Sequence, residues 1–324
     1  MPTGVIGLGN MGTALANLIA RNGHEVLGWE YDATVVKQIN SQHSSPYLPG
    51  IALHTHLHAT HQLHEVIRHC SPTFITLPSR FIEPTLTPLI QALPSRTIVV
   101  NIAKGIHAAT GTTTFKRLSL LLPDNPLVHL SGPSIANEYA HDLPTAVMIA
   151  SHSPEALTAV SQQLDNAYFQ TRHSNDPAGI ELGGVLKNIY ALGLGLLAAS
   201  GADNVNFKGT YLTTALHEMQ TLGVALGAKP ESFLGIAGVG DLIATALSEH
   251  SHNVRMGRLL ASGKPIGIIE QEVGTLPEGY YTLLAAMTLA KQHGIALPLA
   301  AGLHAVIEQR MSAAQLIRRV LADQ

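Results

Sequence analysis

Short apolar runs rich in Val, Ile and Thr recur through the first half of the chain: TGVIGLG (3–9), HEVLGW (24–29), PTFITLP (72–78), RTIVVNI (96–102), PLVHLSG (126–132) and TAVMIAS (145–151). Each has strand length and is bounded by turn-forming residues. Between them lie stretches of helical period such as MGTALANLIARNG and SPEALTAVSQQLD. The second opens on Ser153-Pro154, a capping residue followed by the proline that suits a first helical turn. Strands separated by crossover helices predict an α/β domain with a mainly parallel, doubly wound sheet. After about residue 180 the β-branched runs give way to long helical patterns, including YLTTALHEMQTLGVALG, PEGYYTLLAAMTLAKQHG and SAAQLIRRVLAD. The pattern therefore divides the chain into an α/β domain over 1–177 and an all-α domain over 178–324. It contains no internal repeat and no low-complexity linker.

One helical stretch stands apart. LGGVLKNIYALGLGLLAASGA (182–202) is apolar except for a single charge, Lys187. About 20 such residues would cross a bilayer. Its glycines, its lack of a basic flank and its mid-chain position argue against a span. An ionised lysine in such surroundings is costly, which leaves two readings: a core helix whose lysine extends its head to water, or an active-site helix.

Composition narrows the function classes. The net charge is −3 with no basic stripe, which argues against nucleic acid as the main partner. The single cysteine, Cys70, excludes a disulfide framework and a cysteine-ligated metal, so a reducing, cytoplasmic setting is expected. The N-terminal MPTGVIGLGNMG lacks the basic region of a signal peptide. Eighteen histidines are unusual, and His54, His56, His58, His61, His64 and His69 cluster. The first three, at period two, suit one face of a metal-binding strand. As members of a His-rich surface segment they need no metal, and none is assigned.

Gly7-Leu8-Gly9-Asn10-Met11-Gly12 is a G-x-G-x-x-G placed after the first strand and opening the first helix. In that context the first glycine turns the chain, the second admits a pyrophosphate to backbone N–H groups, and the third packs helix on sheet. A plain β-turn-α is the alternative. The N-terminal domain is thus expected to be a Rossmann-type dinucleotide-binding domain. Glu30 follows the second strand, where an acid accepts the ribose 2′-hydroxyl and repels a 2′-phosphate. It favours NAD, with NADP still admitted, unless it is simply a solvated surface glutamate.

Further blocks follow in order: YLPG (47–50), LPSRF (77–81), AKG (103–105), SGPSIANE (131–138), LPTAV (143–147), ELGGVLKN (181–188), LGIAGVGDLIAT (234–245), HNVRMG (252–257) and EGY (278–280). With GLGNMG they resemble the NAD(P)-dependent glycerol-3-phosphate dehydrogenase family of the bacterial type, from residue 3 to about 300. The resemblance implies reversible reduction of dihydroxyacetone phosphate to sn-glycerol 3-phosphate, serving glycerophospholipid synthesis. It implies that Lys187 is the catalytic proton donor and acceptor, and that Lys104 is a second active-site lysine touching substrate and cofactor. Asp241, Thr245, Ser251, His252 and Asn253 match substrate-pocket positions, as do Gly132 and Ser134. Asn10, Met11, Phe81, Ala136, Leu276 and Glu278 match cofactor-lining positions, beside Gly7, Gly9, Gly12 and Glu30.

The residue types suit that chemistry. Hydride arriving at a ketone leaves charge on oxygen, which a lysine can stabilise and protonate if burial and a neighbouring cation bring its pKa down. Asp241 would orient the lysines, and Thr245 and Asn253 would bind phosphate. Blander roles exist for each: a strand-end lysine for Lys104, a helix N-cap for Asp241, caps or turn residues for Thr245 and Asn253. Two positions depart from the family pattern, which has S-R-N where this chain has Ser251-His252-Asn253 and an arginine where it has Thr214. Asn206-Phe207-Lys208 is likewise an altered form of a family block. These departures raise the alternative of a related dehydrogenase acting on another hydroxyketone, a phosphonate or a larger phosphate; a non-catalytic dinucleotide sensor is a third reading, from a different class. The expected partners are a small phosphorylated or hydroxyketone substrate and a second copy of the chain as a homodimer, with no nucleic acid and no membrane.

Overall fold

The computed structural model describes residues 1–107, 111–248, 251–273 and 276–322. The chain forms two compact units, Met1–Lys104 with Thr114–Ile180, and Gly105–Thr113 with Glu181–Gln324.

The first unit holds one eight-stranded sheet in the order β3-β2-β1-β4-β5-β6-β7-β8. The strands are β1 Thr3–Ile6, β2 Val26–Trp29, β3 Leu57–Thr60, β4 Thr73–Ile75, β5 Val99–Asn101, β6 Leu127–Ser131, β7 Thr145–Ala150 and β8 Phe169–Ser174. All neighbours are parallel except β6 and β7. The strand order reverses between β1 and β4, so the carboxyl ends there form the crevice in which such sheets bind ligands. Seven helices flank it: α1 Asn10–Arg21, α2 Ala33–Gln42, α3 Leu63–His69, α4 Ser79–Leu86, α5 Thr114–Leu121, α6 Ala136–Tyr139 and α7 Pro154–Leu164. Ser153 caps α7 as expected, accepting the Ala156 N–H at 3.2 Å with Pro154 in the first turn.

All six expected strands are present, and two more lie outside the runs that predicted them. In β3, Leu57 and Ala59 point into the core while His58 faces solvent, so histidines mask a short apolar alternation. In β8 only Phe169 is buried, because an edge strand can be polar along most of its length. The histidine cluster is thus split between a loop, a strand and α3. His54 and His56 pack edge to face at 4.7 Å, and His56 lies 3.7 Å from Glu25. Among the described residues no group of three or more metal-ligating side chains stands together.

The second unit is built on α8 Pro177–Ala199, followed by α9 Val205–Ala225, α10 Asp241–Leu247, α11 His252–Leu260, α12 Ile266–Val273, α13 Glu278–His293, α14 Pro298–Ile307 and α15 Ala313–Ala322. Helix α8 is long and apolar enough to cross a membrane, but 89% of its most apolar window is buried inside the protein. Leu186, Ile189, Tyr190, Leu192 and Leu196 on it are almost wholly buried. Its glycines let backbones meet: a Cβ on Gly183 would lie 2.5 Å from the Ala237 carbonyl oxygen. From the other side, a Cβ on Gly257 of α11 would lie 1.9 Å from the Leu192 carbonyl oxygen. The buried Glu218 of α9 accepts the Leu299 and Ala300 N–H groups at 2.5 and 3.0 Å, and the Tyr190 hydroxyl at 3.0 Å. It therefore caps α14 and ties it to α8. The short segment Gly105–Thr113 groups with this unit, with Ile106 packed against the helical core.

Candidate active site

In the nucleotide unit the glycine loop has the geometry its sequence requires. Gly7 has φ +102, a left-handed conformation that a side chain would strain, and a Cβ on Gly12 would lie 1.9 Å from the Gly7 carbonyl oxygen. Thr76 at the end of β4 donates to that same oxygen at 2.6 Å, which fixes the turn to the sheet. Gly9, by contrast, has nothing within 4 Å of where its Cβ would be, so the loop is open at the position that admits a pyrophosphate. Helix α1 starts at Asn10 with no acid in its first turn, leaving its N–H groups and dipole available to an anion. These residues fit a dinucleotide.

Around the loop, Asn10 donates to the Tyr47 carbonyl at 2.7 Å and to Asn137 Oδ1 at 3.0 Å. Met11 is held by the Tyr139 hydroxyl, which donates to its carbonyl at 3.3 Å. Glu30 is 3% exposed, so it is not a solvated surface residue. Its carboxylate accepts the Asp32 N–H at 3.2 Å, with further backbone N–H bonds from Tyr31 and Leu8. Burial nonetheless raises its pKa above the ordinary glutamate value. Phe81 is largely exposed beneath the Arg80 guanidinium, 4.8 Å from its ring centroid. Lys104 follows β5 and its ammonium reaches the Gly132 carbonyl at 3.5 Å. Gly132 has φ +118 and also accepts the Ser134 hydroxyl at 3.1 Å. Ala136 is buried at the start of α6.

In the helical unit the lysine in the apolar run is accounted for. Lys187 is 7% exposed and its ammonium donates to Asp241 Oδ1 at 2.5 Å and to the Thr245 hydroxyl. The close approach of Gly183 to Ala237 holds α8 against the π-helical turn Ile236–Gly240, whose end delivers Asp241. Thr245 is four residues further along α10 and so on the same face. Asp241 is the first residue of α10, whose N-cap position is Gly240, and its carboxylate is on Lys187. The head of Lys187 does not reach for water.

A second cluster shares α8 with the first. Asn253 donates to Asn188 Oδ1 at 3.0 Å and accepts the Gly279 N–H at 2.9 Å. Its amide thereby links α8, α11 and the first turn of α13, beside Glu278 and the buried Leu276. Ser251 caps α11 by accepting the Val254 N–H at 3.3 Å, and His252 is exposed at the helix start. Thr214 donates to the Thr210 carbonyl of its own helix at 3.1 Å, and Lys208 pairs with Asp203 at 2.5 Å. Sequence reasoning gave no role to Asn188, although a carboxamide beside the single charge of the apolar run 182–202 was the available signal. It also passed over Asn101 and His129, which lie in strands that read as purely structural.

Similarity to known proteins shows the family. Two family models, described as the N-terminus and the C-terminus of NAD-dependent glycerol-3-phosphate dehydrogenase, match residues 2–157 and 176–318. A glycerol-3-phosphate dehydrogenase (NAD(P)+) of Ectopseudomonas mendocina is 38% identical over 99% of this chain and 94% of its own length. One from Staphylococcus carnosus is 37% identical over 94% of this chain and 92% of its own. The crystal structure of glycerol-3-phosphate dehydrogenase from Coxiella burnetii superposes with a TM-score of 0.90 at 28% identity, covering 100% of this chain and 99% of that one. The chain belongs to the NAD-dependent glycerol-3-phosphate dehydrogenase family.

Proposed function

We propose that the protein is an NAD(P)H-dependent dehydrogenase that reversibly reduces dihydroxyacetone phosphate to sn-glycerol 3-phosphate, supplying glycerophospholipid synthesis. The observation that carries the assignment of its chemistry is the buried Lys187 ammonium held by Asp241 and Thr245. A dinucleotide sensor has no use for such a group, and nothing in the site or among the relatives favours a different hydroxyketone.

When bound, the reduced nicotinamide supplies the hydride. The chain's own residues deal with the oxygen and the phosphate. Lys187 stabilises the developing oxyanion and delivers the proton from Nζ. Asp241 keeps that lysine oriented and charged before the proton moves, and receives the ion pair again when the lysine is reprotonated. Lys104 adds a second positive group for the substrate, while Gly132 and Ser134 shape the loop that it reaches. Asn253, Ser251, His252 and Thr245 supply donors to the phosphate. Asn10, Met11, Phe81, Ala136, Leu276 and Glu278 line the dinucleotide, whose pyrophosphate lies on the loop of Gly7, Gly9 and Gly12. Glu30 selects NAD over NADP through its charge at the ribose.

The assembly we assign is a homodimer in the cytoplasm. It is supported by the exposed Leu234, Ile243 and Leu247 of the helical unit and by the single reduced cysteine. Following NADH oxidation on adding dihydroxyacetone phosphate tests the activity, with Lys187→Ala expected to lose about 10²–10⁴ in kcat. Full activity in that variant would remove Lys187 from the mechanism.

A further inference from the structure

Beneath Lys104 lies a buried polar pair that the mechanism does not use. His129 on β6 is fully buried, and its Nδ1 faces Asn101 Nδ2 on β5 at 3.1 Å. Asn101, itself buried, closes a tight turn on its own strand end: its Oδ1 accepts the Ala103 N–H at 3.2 Å and its Nδ2 donates to the Ala103 carbonyl at 3.2 Å. With Oδ1 engaged by an N–H, the amide group facing the histidine is the donor, so Nδ1 accepts and the ring is neutral. Burial and the nearby Lys104 ammonium push the His129 pKa down to about 3, which keeps the ring neutral at any working pH. Phe115 closes the site, 5.9 Å from the ring in an edge-to-face contact.

The residue after Ala103 is Lys104, whose ammonium reaches back over Gly132, three residues after His129. The pair therefore couples the two strand ends from which the lysine and its carbonyl partner emerge. We propose that His129 and Asn101 are positioning residues that hold the 101–104 turn so that the Lys104 ammonium stays on the Gly132 carbonyl. An ordinary core would place two apolar side chains here. The buried amide and imidazole instead lock one rotamer of the turn, because an unpaired Asn101 amide in this position loses a hydrogen bond that water cannot replace. For catalysis this inference rests on the proposed role of Lys104 at the substrate.

The test compares His129→Leu, which removes the acceptor, with His129→Asn, whose Oδ1 can occupy the place of Nδ1. Competitive acetylation of the folded protein, read by peptide mass spectrometry, reports how firmly Lys104 is held without reference to activity. The expected result is a several-fold faster labelling of Lys104 in His129→Leu and near-native labelling in His129→Asn. In parallel, kcat/KM for dihydroxyacetone phosphate should fall about tenfold in His129→Leu, as a misplaced catalytic group costs, and recover within about twofold in His129→Asn. On a Lys104→Ala background His129→Leu should add no further loss. Equal labelling of Lys104 in native protein and His129→Leu overturns the inference, as does an undiminished second loss on the Lys104→Ala background. Faster labelling together with a fully active Lys104→Ala would instead sustain the positioning and remove Lys104 from the mechanism. If His129→Leu does not fold, Asn101→Ala takes its place with the same expectations.

Discussion

The Lys187 ammonium and the Asp241 carboxylate meet at 2.5 Å, on separate helices, with both residues more than nine-tenths buried. A buried ion pair of this kind is costly to break from either side, since the remaining charge has no water to turn to. Lys187→Met is therefore expected to lower stability by about 3–5 kcal/mol as well as to abolish turnover. Adding Asp241→Leu should restore much of the stability and none of the activity. Chemical denaturation alongside steady-state rates separates the two effects. A double variant that regained turnover would show that the lysine was structural.

On the proposed function, Glu30 sets the cofactor preference through charge. Glu30→Gln keeps the hydrogen-bonding shape and is expected to narrow the preference for NADH over NADPH by about tenfold, on the order of one ionic contact. The preference should also narrow in the native enzyme as pH falls, and sooner than for an ordinary glutamate. Burial raises the pKa of this carboxyl, so it takes up a proton at a higher pH and stops repelling a 2′-phosphate. Comparing kcat/KM for the two reduced cofactors across pH checks both. Equal use of the cofactors at every pH would rule Glu30 out as the selector.

His129 is expected to make the fold acid-sensitive. Its pKa is about 3 in the folded chain against 6.5 for the free group. Between those values the unfolded chain binds a proton that the folded chain does not. The stability present above pH 6.5 is thus lost as pH falls toward 3, at up to about 1.4 kcal/mol per pH unit from this residue. Denaturant midpoints of the native protein and His129→Asn at pH 7 and pH 5 should converge as pH falls. Parallel pH profiles would contradict the assignment.

The backbone contact between α8 and α11 leaves no room for a methyl group. Gly257→Ala is expected to cost about 1–3 kcal/mol, because a Cβ would meet the Leu192 carbonyl at 1.9 Å and one of the two helices must move. The thermal midpoint should fall accordingly. An unchanged midpoint would mean that the two helices separate freely.

Cys70 should be chemically silent in the folded protein. It is fully buried, and burial pushes its thiol up to about 11. A thiol reagent at neutral pH is expected to react only at the rate of unfolding. Stoichiometric labelling within seconds under native conditions would disprove this.

The nucleotide unit was legible because its signals are local: β-branched runs, a cap followed by proline, and glycines at fixed offsets. The two strands that escaped notice are those whose apolar residues are few, β3 with its interleaved histidines and β8 at the sheet edge. The site divides in the same way. Lys187 announced itself as one charge in an apolar run, and the family blocks pointed to Asp241 and Thr245. That these three meet depends on Gly183 packing against a π-helical turn more than fifty residues later, which no local pattern encodes. Asn253 was matched to the substrate pocket, and its hydrogen bonds to Asn188 and Gly279 add a positioning network that the sequence did not announce. Its partners lie on two other helices, so only the folded chain could supply them.

The excursion of Gly105–Thr113 bears on how this protein can be taken apart. The backbone passes from one unit to the other at Lys104, returns at Thr114 and leaves again after Ile180. No single cut yields both units whole. A fragment ending at residue 180 keeps Ile106 but strips away the helical core on which it rests, and the complementary fragment is missing a piece of its own wall. Exchanging halves between relatives would therefore need two junctions on either side of this segment, and a chimera made at residue 180 alone would carry a mismatched patch in its helical core.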